Sequence, residues 1–312
     1  MIEEFPTHFV QSHGRVCPTC RYVLPHLEEL AADYFERNEV RCRNPLCGKP
    51  VDLWDATVAD MRRLGASFFG IISLGAKQTS FLVDLAPHEA KEIDLTQYGV
   101  PAEATILHLN FTPQLREGQG GCLPLLVHGN TAYPRSIGVK FWVYARPAVG
   151  EPESVVRVSV SVRWVSEDRD RISWIYLMDA FEALSARRYW SVVLPSYVAF
   201  ELSLTPLLKG SLEKFASRDK VKSFVRNELS SASGLNVVLP TLCGLVGAPR
   251  LPDAIRGELN HLRELRNDIV HNGVAKAGVD EKTAAVALCA SIFGLEYVNY
   301  IRPKLMPGTV SQ

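Results

Sequence analysis

The chain carries no excess charge. Its 34 Lys and Arg are balanced by 34 Asp and Glu, and the sequence pI is near 7.1. That balance excludes a general polyanion binder, so any contact with nucleic acid must come from a local patch. There is no clean apolar run of membrane-spanning length. The two most apolar stretches, 190–208 and 284–301, are interrupted by Pro195, Glu201 and Pro206, and by Glu296 and Asn299. They read as buried core helices, and no membrane partner is expected. The opening Met-Ile-Glu-Glu-Phe-Pro lacks the apolar core of a signal peptide. No internal repeat or low-complexity tract appears, which excludes solenoids and biased linkers. Cysteine is sparse, 7 in 312 residues, with four of them clustered. That usage points away from a secreted disulfide scaffold and toward a metal site in a reducing compartment, with the cytoplasm as the expected location.

What is present is ordinary globular composition, 47% hydrophobic and 22% charged, in a chain long enough for two or three domains. The expected fold is multidomain α+β in three parts. The first, 1–53, holds Cys17-Pro-Thr-Cys20 and Cys42-Arg-Asn-Pro-Leu-Cys47-Gly48 around an expected helix at 25–39. Two cysteine pairs on tight turns can present four thiolates tetrahedrally to one Zn²⁺. Such a closed zinc-ribbon-like site would be structural rather than catalytic, and a module this small needs the metal to hold its shape. Arg15, Arg21, Tyr22, Arg41 and Arg43 flank the pairs, but Glu28, Glu29, Asp33, Glu36 and Glu39 cancel that charge. A nucleic-acid reader built on the zinc module is therefore the weaker reading.

The second part, 66–166, changes to short strands rich in Val, Ile, Phe, Trp and Leu, at 67–74, 80–85, 92–95, 105–111, 123–128, 138–145 and 155–165. Val156-Arg157-Val158-Ser159-Val160-Ser161-Val162 alternates strictly, as a half-buried strand does. The pattern suggests an antiparallel β-sandwich or barrel. Its scattered His88, His108 and His128 form no catalytic constellation, and the expected role is recognition or assembly.

The third part, 172–305, is helical, with candidates at 175–188, 191–204, 211–230, 252–271 and 281–304. It has 16 Lys and Arg against 13 Asp and Glu from residue 172 onward, a slight excess that permits RNA binding without arguing for it. The run Lys209, Lys214, Arg218, Lys220, Lys222 and Arg226 reads first as a solvated helix face and second as an RNA-backbone contact. Near the end of the fourth helix stands Arg266-Asn267-x-x-x-His271, followed by Asn272-Gly273. A guanidinium forks onto phosphate oxygens, and an imidazole moves protons near neutral pH. The bland alternative is that Arg266 and His271 simply complement the negative end of the helix, while Asn272-Gly273 stops it.

Two features argue for more than that. On a helical wheel Arg266 falls inside the stripe of Leu259, Leu262, Leu265, Ile269 and Val270, where a charge is costly unless paired or opened to a cleft. Glu201 sits in an otherwise apolar helix and is a candidate partner for it. Arg266 and His271, five residues apart, lie about 140° apart on a straight helix and do not meet. Either the last turn deforms, or two copies of the motif face each other across a two-fold axis.

The motif resembles the signature of the HEPN superfamily, over the C-terminal helical part. That resemblance implies a helical bundle that dimerises into a composite cleft and cuts RNA without a catalytic metal, leaving 2′,3′-cyclic phosphate ends. It implies Arg266, Asn267 and His271 as catalytic residues, with Glu201 supporting Arg266. Many such domains are toxins or antiviral-defence effectors released by a trigger, which here would be an unknown regulatory partner. Other HEPN domains are non-catalytic, and a dimeric adaptor or ligand-binding protein is the alternative.

Overall fold

The computed structural model describes residues 16–25, 27–37, 39–64, 77–86, 90–113, 122–126, 139–147, 155–165, 171–273 and 278–307. The chain is mixed helix and sheet and divides into two compact units, one formed by the strand region and one by 13–74 together with 172–312. The three parts read from sequence are therefore two. The cysteine-rich segment and the C-terminal helices, far apart in the chain, share one core.

The strand unit contains β3 (Lys77–Leu85), β4 (Ala90–Asp94), β5 (Thr105–Pro113), β6 (Cys122–Leu126), β7 (Lys140–Pro147) and β8 (Val156–Val165). They form two antiparallel three-stranded sheets, ordered β3-β8-β5 and β4-β7-β6. The alternation in β8 does what it predicts. Val158, Val160 and Val162 are buried, and Ser161 pairs outward with Ser80 through its hydroxyl. Residues of both sheets, among them Phe81, Ile93, Phe141, Val160 and Trp164, belong to one hydrophobic cluster. Between β4 and β5, Asp94 caps a 3₁₀ turn (Leu95–Tyr98) and pairs with Lys140 at 2.8 Å. The expected strand at 67–74, and His88 and His128, lie outside the described residues. His108 sits on β5 beside a register shift.

The second unit is organised around α8 (Glu281–Leu305), which is buried nearly all round. Before it come α1 (Leu27–Arg37), the two-residue pair β1 (Val40–Arg41) and β2 (Pro50–Val51), and α2 (Leu53–Leu64). Then follow α3 (Arg171–Ser185), α4 (Trp190–Leu212), α5 (Arg218–Asn227), α6 (Ser231–Val246, with a π turn at Gly234–Val238) and α7 (Asp253–Asn272). By length and composition α4 and α8 could each cross a membrane, but 56% and 83% of their most apolar windows are buried inside the unit. α8 is buried as a core helix is, whereas α4 leaves Trp190, Leu194 and Leu202 exposed.

The single helix expected over 211–230 is replaced by the end of α4, a break at 213–217, and α5. Two further helices, α2 and α6, were not expected. α1 and α2 both pack on α8. Tyr34 and Trp54 meet Phe293 edge-to-face at 5.3 and 5.4 Å, and Phe35 meets Tyr297 at 5.3 Å. At the centre α8 has no room to spare. A Cβ added to Gly294 would lie 2.7 Å from Phe200 Cδ2 and 3.1 Å from Leu259 Cδ1. Gly294→Ala is expected to overpack this crossing of α4, α7 and α8 and to cost about 1–3 kcal/mol, measured as a lower midpoint in denaturant with an unchanged slope.

Candidate metal centre and candidate active site

The two cysteine pairs stand on turns that the backbone closes itself. In the first, the Cys17 amide donates to the Tyr22 carbonyl at 2.8 Å and the Arg21 amide to the Cys17 carbonyl at 2.9 Å. Arg21 adopts a left-handed φ of 61° just after Cys20. In the second, the Cys42 amide donates to the Lys49 carbonyl at 2.9 Å, and the Cys47 and Gly48 amides both reach the Asn44 carbonyl, at 2.9 and 3.1 Å. Gly48 takes φ 55°, a conformation that suits glycine.

Asn44 is what makes the wider four-residue gap work. Its side-chain oxygen accepts from the Leu46 amide at 3.0 Å, and its Nδ2 lies 3.6 Å from Cys20 Sγ across the site. Nothing in the spacing of the cysteines marks Asn44 for that role.

All four Sγ atoms lie within 4.8 Å of one another, with Cys17–Cys47 at 3.9 Å and Cys20–Cys42 at 3.6 Å. Four thiolates about 2.3 Å from one Zn²⁺ at tetrahedral angles stand about 3.8 Å apart. The donor set therefore fits, and the cluster could hold a metal ion such as zinc. The thiols are also strongly unequal. A backbone hydrogen bond at Tyr22 helps bring Cys20 down to about 7, while burial pushes Cys42 up to about 12. A cation that takes all four as thiolates must displace protons, Cys42's most reluctantly. Around the site two of the basic residues are paired, Arg41 with Glu39 at 2.5 Å and Arg43 with Glu29 at 3.8 Å, while Arg21 and Lys49 are exposed.

The second cluster lies where α4, α6 and α7 meet. Ile255, Leu259, Leu262 and Leu265 seat α7 in the core. Its last turns emerge, and Val270, read as part of the apolar stripe, is 51% exposed. Arg266 is half-buried, its Nη1 donates to Asn267 Oδ1 at 2.9 Å, and its guanidinium lies 5.7 Å over the ring of Tyr197. Its Nε is buried without a hydrogen-bond partner. The Tyr197 ring and a neighbouring amide thus offset part of the cost that the helical wheel flagged.

Glu201 does not pair with Arg266 as expected. It accepts a short hydrogen bond from Ser231, at the start of α6. Tyr197, one turn earlier on α4, takes the place beside Arg266, and burial raises its hydroxyl above the usual range. Asn267 holds the arginine rather than the histidine. His271 is exposed in the last turn and makes no hydrogen bond or ion pair with a described residue. α7 stays helical to Asn272 and is closed by Gly273 at φ 75°, its amide donating to the Ile269 carbonyl at 2.9 Å. The last turn does not deform, so within one chain Arg266 and His271 stay on different faces.

Sequence reasoning missed Tyr197, Ser231 and Arg263. Arg263, one turn before Arg266, also has a buried Nε without a partner. With Arg256, Glu258, Glu264 and Asp268 charged on the same helix, nothing in the sequence singles Arg263 out. Comparison with family models, with curated proteins and with solved structures returns no match.

Proposed function

We propose that the protein is a metal-independent endoribonuclease of HEPN type, acting as a homodimer, with a structural Zn²⁺ on Cys17, Cys20, Cys42 and Cys47. The observation that carries the reading is Arg266: half-buried, oriented by Asn267 and Tyr197, and left with an uncommitted buried donor. An arginine placed only to complement a helix end needs neither the ring nor the amide. In this reading Arg266 stabilises charge growing on the phosphoryl oxygens, and Asn267 fixes the guanidinium for that task. His271 moves the proton of the ribose 2′-hydroxyl as it attacks phosphorus, giving a 2′,3′-cyclic phosphate; DNA lacks that nucleophile. Because α7 is straight, His271 acts on the cleft of a second copy, and the exposed Val270 beside it suits a partner surface. The helical unit is then a HEPN-like bundle to which the zinc module is fused. The two sheets form a sandwich for recognition or restraint.

The non-catalytic adaptor is the second reading, favoured by the freely exposed His271. A zinc-module nucleic-acid reader is disfavoured by the pairing of Arg41 and Arg43 with acids. The test is cleavage of a labelled RNA pool in Mg²⁺-free buffer by protein of verified zinc content, with product ends analysed. Cyclic-phosphate ends that disappear in Arg266→Ala and in His271→Ala are expected. Equal cleavage by all three proteins would expose a contaminant. RNA binding without turnover, unchanged in His271→Ala, would favour the adaptor.

A further inference from the structure

Next to Arg266 lies a cavity of about 200 Å³ that the proposed chemistry leaves unused. Its walls are apolar, with Phe200 and Leu204 from α4, Val225 from α5 and Leu235 from α6. One edge is polar, made by Glu201, Ser231 and Arg263. Tyr197 borders both this cavity and Arg266, so the two sites are neighbours. The π turn at Gly234–Val238 begins on the cavity wall, and such turns recur where a helix is shaped around a ligand.

The polar edge is incompletely satisfied. Glu201 Oε1 accepts from Ser231, and the carboxylate makes no other hydrogen bond or ion pair among the described residues. Arg263 Nε is buried and bonded to nothing, although its Nη2 lies 3.7 Å from Glu264. An occupant should therefore be flat and apolar on its faces. At its rim it should offer donors to a carboxylate and an acceptor to a guanidinium. The volume is below the roughly 300–1,000 Å³ of sites for drug-sized ligands, and suits a single ring system.

We propose that this cavity is a base pocket that takes guanine from single-stranded RNA. Guanine alone among the four RNA bases presents two adjacent N–H donors, N1–H and the 2-amino group, which a carboxylate can accept together. Its O6 and N7 acceptors are the usual partners of arginine. Adenine would turn a bare N1 acceptor toward Glu201. Uracil offers one donor between two carbonyls, and cytosine one amino group beside an acceptor. Unstacked bases of RNA are read on these edges and held between apolar surfaces. The rim can also meet a polyanion, since on α5 Lys222 lies one turn before Val225 and Arg226 follows it, both exposed. The choice of RNA rests on the nuclease reading; the base preference rests on the cavity.

The experiment is calorimetric titration of the full-length, metal-replete protein with the 3′-monophosphates of guanosine, adenosine, cytidine and uridine. Guanosine 3′-monophosphate is expected to bind roughly 10-fold or more tightly than the others. Glu201→Gln should remove that preference while retaining the helical circular dichroism. Thr205→Trp, on the exposed rim of the cavity, should block binding of all four and guards against a folding defect in the first variant. Equal affinity for the four nucleotides, no binding at millimolar concentration, or a guanine preference that survives Glu201→Gln would overturn the pocket. RNA cleavage without guanine at a fixed position, in a protein that does not bind the nucleotide, would sink the pocket and leave the nuclease standing. Guanine-selective binding by a protein that cuts nothing would do the reverse.

Discussion

With Zn²⁺ on the four cysteines as proposed, stripping it is expected to unfold the helical unit, not merely the two turns that carry them. α1 is strung between the cysteine pairs, and its aromatic face is part of the core around α8. Tyr34 packs on Phe293, and Phe35 on Tyr297 and Tyr300. At the end of α8, Glu36 accepts from Tyr300 and Lys304, each at 2.5 Å, which draws the Glu36 carboxyl below its usual range. On the far side, the Val16 amide donates to Asp60 of α2 at 3.0 Å. Structural zinc sites contribute about 10–16 kcal/mol at neutral pH, against a total stability of about 5–15 kcal/mol for a typical domain. Loss of the metal therefore outweighs the margin that the rest of the unit can supply. Chelation, or Cys42→Ser, should abolish slow amide exchange in α8 and remove most helical ellipticity. The β3-β8-β5 and β4-β7-β6 sheets, which have a hydrophobic cluster of their own, should keep their protection. Undiminished protection of α8 in the stripped protein would show that the cysteine segment is an appendage.

That coupling is also where sequence reading stops. The cysteine spacing, the alternation of β8 and the all-round apolarity of α8 are local patterns, and each reports on its own element. The docking of Tyr34 on Phe293 is not local: the two residues are 259 positions apart in sequence, and neither neighbourhood carries a sign of the other. α2 falls between the first part, which the sequence places at 1–53, and the strands that begin at 66, although Leu53, Thr57 and Met61 recur at helical spacing and are buried. α6 escaped notice because Gly234, Pro240, Gly244 and Gly247 punctuate an apolar stretch, and punctuation of that kind usually marks loops. Pro240 follows directly on the π turn inside the same helix, where it cannot donate to the preceding turn, and Gly247 ends that helix at φ 66°.

The candidate site was legible to the level of helices and no further. Two charges on apolar faces, Glu201 and Arg266, are read from sequence as candidate partners; α4 and α7 do pack together, but the two side chains bind elsewhere. Each found a nearer partner, Glu201 a serine hydroxyl on the unforeseen α6 and Arg266 an aromatic face one turn before Glu201. A tyrosine in a buried helix reads as packing, so its second use as a platform for a guanidinium leaves no trace in composition or period.

Mixing two dead variants is expected to restore activity. On one straight α7, Arg266 and His271 are about 140° apart, so a cleft using both must draw one from each of two copies. Arg266→Ala alone then leaves no dimer site with its phosphate clamp, and His271→Ala leaves none with its proton carrier. Losses of roughly 100-fold or more in each are expected, the scale of removing one charge-stabilising donor or one general base. In a mixed dimer one cleft receives the intact Arg266 of the His271→Ala chain and the intact His271 of the Arg266→Ala chain; the other cleft receives neither. Random exchange makes about half of the dimers mixed, each with one working cleft of two, so about a quarter of wild-type cleavage should return. The measurement is single-turnover cleavage after the two proteins are co-refolded or co-expressed. Recovery to that level would place the two residues in trans. No recovery, with mixed dimers demonstrated by mass, would mean that the cleft is built within one chain and that His271 is not its proton carrier. Arg266→Lys gives the control on the clamp itself: it keeps the charge but loses both the fork and the contact with the Tyr197 ring, and should recover little.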